Sequence, residues 1–336
     1  MAEVNGRKIR LLSLDGGGIK GILSGQILVR IEEMLKEITD DSTTRIGDYF
    51  DIIAGTSTGG ILACAYLMPD GINRPLYSAE EVINFYMENG DDIFRKTFKQ
   101  KVLSGFGLLG AEYSSDALED TIDKYFGMTE LQELIKPCLI PSLDTEKRKC
   151  VFFKQHYAKD DISENFYVRD LLRGTTAAPT YFKPAHIQSL SGDTYSLIDG
   201  GMFANNPTLC AYTEVNKIFE SNRNLTVRDV KILSLGTGHN DTPYKNEMIR
   251  KWGLVEWAKP SIDMMMSSVS KVTDYELQKL FKAFNCSEQY LRINPKISYD
   301  LTAMDNGSHK NMNKLKETGD ITFDKFKEQI KNFLEL

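Results

Sequence analysis

The stretch 48–67, DYFDIIAGTSTGGILACAYL, limits what this chain can fold into more than any other. An apolar run meets Gly55-Thr56-Ser57-Thr58-Gly59, and a second apolar run follows at once. The first run, 49–54, reads as a buried strand, and the second opens a helix over 60–67. So few residues between them make a sharp turn that strains the serine backbone. Gly55 and Gly59 avoid collisions on either side, and Gly60 lets the helix approach closely. Gly-x-Ser-x-Gly between strand and helix lifts the serine hydroxyl to a sheet edge above a helix N-terminus, the pattern of a nucleophile elbow.

The rest of the chain repeats this alternation. Residues 8–14 (KIRLLSL) read as a buried strand. Ile27, Leu28, Ile31, Met34, Leu35 and Ile38 then recur at helical spacing over 21–38. Further strand-like runs fall at 138–143, 150–155, 194–198, 230–235 and 290–293, with helical patterns at 79–88 and 209–219. Phe323, Phe326, Ile330, Phe333 and Leu334 close the chain on one helix face. Alternating strands and helices imply an α/β layered fold with a largely parallel sheet. The 336 residues, 41% of them hydrophobic, suffice for one large core or two ordinary ones. No repeat, low-complexity tract or linker divides them, and the polar stretches 158–165 and 221–229 read as loops. One domain over 8–334 is therefore expected.

Composition excludes some functions. A formal net charge of −6 argues against a nucleic-acid polymer as partner. No run is apolar and long enough to span a bilayer. The N-terminus enters a strand with no apolar signal region, so a cytoplasmic chain is expected unless a leader has been removed. Cys64, Cys138, Cys150, Cys210 and Cys286 are scattered and odd in number. They form no zinc or disulfide pattern and are expected to be buried free thiols. Asn224-Leu225-Thr226 fits a glycosylation acceptor and is read as loop chemistry.

Two further glycine motifs carry chemistry. Asp15-Gly16-Gly17-Gly18-Ile19-Lys20-Gly21 lies between a strand and a helix and also fits GxGxxG. A nicotinamide site would need an acid at the end of the next strand. Glu37, Asp40 and Asp41 instead sit on the tail of the helix, which favours an anion cradle of backbone N–H groups at a helix N-terminus, as an oxyanion hole requires. The second motif is Asp199-Gly200-Gly201, where an apolar strand delivers a carboxylate into a glycine turn. A serine needs a base. The four histidines are His156, His186, His239 and His309. Ser57, Asp199 and His239 fit the Ser–Asp–His order of a hydrolase triad, and the pattern alone leaves that base open.

GGGIKG, then GTSTGG, then DGG is the motif order of the patatin-like phospholipase family, which the chain resembles over nearly its whole length. TTAAPTYF at 175–182, LSLGTG at 233–238, KWG at 251–253 and YLRI at 290–293 extend the resemblance in order. It implies a three-layer α/β/α sandwich and acyl-ester hydrolysis of phospholipids and galactolipids, without metal or cofactor. It implies a Ser57–Asp199 dyad, with the backbone of Gly16, Gly17 and Gly18 as oxyanion donors. Lys20 takes the basic position of the first motif. Gly21, Gly55, Gly59, Gly200 and Gly201 support the three turns. His239 has no counterpart in the family pattern. MFANNP after DGG departs from the plant form and is closer to bacterial members.

A lipase must also meet an interface. Phe98, Val102, Leu103, Phe106, Leu108 and Leu109 among Lys96, Lys99 and Lys101 suit either a lid touching a membrane transiently or a surface helix with one core face. Met264-Met265-Met266 suits an adaptable acyl channel or helix core. Two other functions fit the same fold. One is a defence effector that degrades membranes after a small activator, such as a cyclic nucleotide, binds. The other is a catalytically quiet storage or interaction protein.

Overall fold

The computed structural model describes residues 7–95, 111–219 and 225–335. Eight strands form one sheet: β1 (Ile9–Leu14), β2 (Ile52–Gly55), β3 (Cys138–Asp144), β4 (Lys149–Lys154), β5 (Ala185–Gln188), β6 (Thr194–Asp199), β7 (Val230–Leu235) and β8 (Tyr290–Ile293). The order is β5-β6-β3-β2-β1-β7-β8, with β4 on the other edge of β3. Strands β3, β2, β1, β7 and β8 run parallel. β4 and β6 join β3 antiparallel, and β5 pairs antiparallel with β6.

Side chains alternate across the central strands and make two cores. Leu12, Leu14, Ile53, Leu233 and Leu235 face one layer. That layer contains α1 (Gly21–Thr39), α2 (Thr58–Leu67), α3 (Ala79–Ile93), α4 (Asp116–Phe126), α5 (Val168–Thr175) and α8 (His309–Glu335). Ile9, Leu11, Ile52, Ala54, Val230 and Ile232 face the opposite layer, where α6 (Thr208–Ile218) and α7 (Leu254–Ala283) bring Ala211, Val215, Leu277 and Phe281. The fold is a three-layer α/β/α sandwich. Among the described residues no helix is long and apolar enough to cross a membrane.

Several local expectations are corrected. Residues 49–54 are not one strand, because Ile46–Tyr49 makes a helical turn before β2 begins at Ile52. The Asp48 carboxylate accepts the Arg45 N–H at 2.9 Å and closes that turn. Asp51 then accepts the Arg10 N–H at 2.9 Å and pairs with Arg7, which bends the chain into β2. Strand β5 was not anticipated, being four residues on an edge. Cys150 is exposed, unlike buried Cys64, Cys138 and Cys286, because β4 is an edge strand with its first residues in solvent. The candidate lid at 96–110 and Asn224 lie outside the described residues.

Candidate active site

The three glycine turns meet at the C-terminal ends of β1 and β2 and the end of β6. Ser57 ends the turn after β2 with φ 54° and ψ −120°, a backbone state that side-chain-bearing residues rarely occupy. Two close approaches hold it there. A Cβ on Gly55 would fall 1.9 Å from the Gly59 carbonyl oxygen, and one on Gly59 would fall 2.3 Å from the Leu14 carbonyl oxygen. The Ser57 N–H donates to Thr175 Oγ1 at 3.0 Å, and that hydroxyl donates to the Pro141 carbonyl at 2.6 Å. The serine is thus fixed to α5 and β3 while helix α2 starts directly behind it.

Asp199 is the last residue of β6 and is buried. Its N–H donates to the Ala177 carbonyl at 3.1 Å. Its Oδ1 accepts the Gly201 N–H at 2.7 Å, while Oδ2 is buried without a formed hydrogen bond. Burial pushes the carboxyl up to about 6, and the Ser57 hydroxyl and the Gly201 N–H oppose that rise. The Ser57 hydroxyl is thus among the groups that act directly on the Asp199 carboxyl. A buried carboxyl poised near neutrality with an unpartnered oxygen is characteristic of sites that move protons.

The turns are stitched together by backbone. The Gly16 N–H donates to the Asn205 carbonyl at 3.0 Å, and Thr56 Oγ1 donates to the Ala204 carbonyl at 2.6 Å. Gly16 therefore has its N–H committed and serves as a brace. The N–H groups of Gly17 and Gly18 have no acceptor among the described residues. Both glycines line the same apolar cavity as Ser57 and Asp199. That cavity, about 70 Å³, is otherwise walled by Ile61, Ile93, Phe94, Leu118, Phe182 and Met266, among others.

A second cavity, about 390 Å³, lies across the glycine turn and is polar. Lys20, Asp263, His239, Asn240, Lys271 and Asn294 are among its walls, and Gly17, Met266 and Met304 border both cavities. Lys20 is buried, and its ammonium forms no hydrogen bond or ion pair among the described residues. Burial lowers its pKa, opposed by Asp263 and Asp15. His239 lies here, with Nδ1 against the Asn294 carbonyl at 3.1 Å and Nε2 3.7 Å from Asp241. None of the four histidines lines the cavity that holds Ser57.

Sequence reasoning missed several supports. The Asp15–Arg292 pair, at 2.6 and 2.7 Å, is buried and ties the start of the first glycine turn to β8. Thr58 Oγ1 and Tyr86 OH share a 2.7 Å hydrogen bond on the cavity wall. Thr175 stands in TTAAPTYF, where a pair of small hydroxyl residues beside Ala-Ala is too common to single out. The Met264–Met266 run divides, since successive helical residues point about 100° apart. Met266 is buried on both cavities, and Met265 is exposed. Among the described residues no group of three or more His, Cys, Asp or Glu could hold a metal ion.

The sequence model described as patatin-like phospholipase matches residues 12–212. Patatin-like protein 2 of Oryza sativa subsp. indica is 34% identical over 346 residues, covering 95% of this chain and 84% of that protein. Patatin-like protein 3 of Arabidopsis thaliana is 33% identical over 355 residues, covering 95% and 82%. A Solanum tuberosum relative named probable inactive patatin-3-Kuras 1 is 33% identical over 331 residues, covering 94% and 86%. With its three glycine turns gathered at one sheet end and a family match across most of its length, the chain belongs to the patatin-like phospholipase family.

Proposed function

We propose that the protein hydrolyses acyl esters of membrane lipids, phospholipids and galactolipids in class, through a Ser57–Asp199 dyad. Family membership supports lipid acyl hydrolysis in general. The observation that carries the finer reading is the meeting of Ser57, a buried carboxyl raised to about 6, and two uncommitted N–H groups on one apolar cavity.

Ser57 Oγ attacks the ester carbonyl carbon as Asp199 takes its proton. The N–H groups of Gly17 and Gly18 hold the oxyanion of the tetrahedral intermediate, with Gly16 bracing the turn. The C–O bond to the leaving group breaks, and Asp199 returns the proton to the departing alkoxide. Water then attacks the acyl-enzyme with Asp199 again accepting a proton, and the fatty acid leaves as the proton passes back to Ser57. An apolar cavity suits this chemistry, because a carboxylate in water is a weak base and a desolvated one is stronger. At about 70 Å³ the cavity is smaller than a typical ligand cleft of roughly 300–1,000 Å³. An acyl tail therefore enters as Met266 and Met304 change rotamer, which unbranched thioethers do readily.

The test is fatty-acid release from mixed phospholipid and galactolipid vesicles. Ser57→Ala and Asp199→Asn, each folded as wild type, are expected to lose release by a factor on the order of 10⁴. Release by Ser57→Ala at the wild-type rate would sink the reading. One relative is named probable inactive, but this chain keeps Ser57, Asp199 and both free N–H groups, which favours an active enzyme.

A further inference from the structure

The chain has two tryptophans, Trp252 and Trp257, and both lie in one exposed stretch. Trp252 packs edge-on against Tyr244 at 5.3 Å and against Trp257 at 5.0 Å between ring centroids. Beside them the first turn of α7 leaves Leu254 93% and Val255 60% exposed. Met248 is exposed as well. Exposed apolar side chains gathered on a water-facing helix end mark an interaction surface. Lys245, Arg250 and Lys251 flank it, exposed and without ion pairs among the described residues. Glu247 and Glu256 are exposed in the same stretch, so 244–257 carries a formal charge of +1 within a chain of net charge −6.

The patch is connected to the site. Lys259, on the same helix, contacts Glu112, lies 3.5 Å from Asp305 and sits over the Tyr181 ring at 4.5 Å. Tyr181 lines the cavity that holds Ser57. Met266 lines it too, about 18 Å along the helix from Leu254 at 1.5 Å per residue. That span is comparable with the roughly 15 Å hydrocarbon depth of one bilayer leaflet.

Building on the proposed hydrolysis of lipids, we propose that 244–257 is the face by which this protein docks on an anionic phospholipid bilayer. Leu254, Val255 and Trp257 enter the acyl boundary, and Lys245, Arg250 and Lys251 lie among the headgroups. Trp and Tyr favour the membrane–water interface, and cationic side chains beside apolar ones are attracted to anionic lipid.

The two tryptophans make the test direct, because their emission reports on this segment alone. The full chain is titrated with phosphatidylcholine vesicles and with vesicles containing phosphatidylglycerol, reading tryptophan emission and co-sedimentation. A blue shift and binding are expected on the anionic vesicles, with weaker binding on the neutral ones. Leu254→Ser/Val255→Ser and Arg250→Glu/Lys251→Glu are each expected to weaken association about tenfold. Both should reduce release from vesicles and leave turnover of a dissolved short-chain ester within about twofold. Wild-type binding by both double variants overturns the proposal. So does an equal loss on the dissolved ester, or a wild-type dimer that Leu254→Ser/Val255→Ser converts to monomer. Ser57→Ala is expected to keep the emission shift. Failure of hydrolysis and failure of docking are therefore read separately.

Discussion

Two cavities share the wall formed by Gly17, Met266 and Met304, and they differ in almost every other respect. The larger, about 390 Å³, is polar and collects Lys20, Asp263, His239 and Lys271. The smaller, about 70 Å³, is lined mainly by carbon and collects Ser57 and Asp199. Size and polarity favour the first as a binding site, whereas the proposed dyad sits in the second. The buried carboxyl that borders the polar cavity, Asp15, is also raised by burial, but the Arg292 guanidinium pairs with both its oxygens and leaves it no free one. In the apolar cavity desolvation raises Asp199 to about 6, close enough to neutrality to exchange a proton with a serine. On the proposed mechanism the dry, unpaired setting of Asp199 matters more than the volume of the cavity.

The largest expected effect that would break the comparison comes from the glycine turn where it abuts the shared wall at Met304. Gly18 has φ +60°, and a Cβ there would lie 2.3 Å from the Met304 carbonyl oxygen. Gly18→Ala should push the turn out of place and cost on the order of 10²–10³ in turnover, read as kcat on a dissolved ester with folding checked by circular dichroism. Turnover near wild type would remove the glycine turn from the mechanism.

The next effect concerns stability. A carboxyl raised in the folded state binds its proton more tightly there than in the unfolded chain, so stability falls as pH rises from the ordinary value near 3.8 through about 6. Asp199→Asn removes that loss. It is expected to be more stable than wild type at pH 7 by about 1–3 kcal/mol, with the gain shrinking toward zero below pH ~4, in urea titrations across pH. A variant less stable at pH 7 would mean that the carboxylate is favourably held and the small cavity is not dry. The smallest effect sharpens the contrast. His239→Ala, on the polar side, should stay within about threefold of wild type on the same ester, since it touches neither Ser57 nor Asp199.

The fold was legible where periodicity is strong. The apolar runs of β1 and β7 and the helical spacing of α1 mark central elements, because both faces of the sheet are buried and hydrophobicity decides their structure. The stretch 49–54 misled because its apolar residues divide between a helical turn and a strand, and the divider is the hydrogen bonding of Asp48 and Asp51. At the site, the three glycine motifs named Ser57, Asp199 and the turn. They did not reveal that the Gly16 N–H is used by Asn205, nor that Thr175 anchors Ser57. Those contacts join residues far apart in sequence and follow only from packing. The order Ser57, Asp199, His239 was equally legible and does not correspond to one cavity, since sequence order carries no depth.

The measurement that tests the account most directly is the pH dependence of kcat/KM on a dissolved ester for wild type, His239→Ala and Asp199→Asn. The account predicts a rate that rises with pH through an apparent pKa near 6, because the base must be deprotonated to accept the Ser57 proton. His239→Ala should keep that limb, and Asp199→Asn should lack measurable activity at any pH. A limb that vanishes in His239→Ala while Asp199→Asn remains active would assign the proton to the histidine and contradict the dyad.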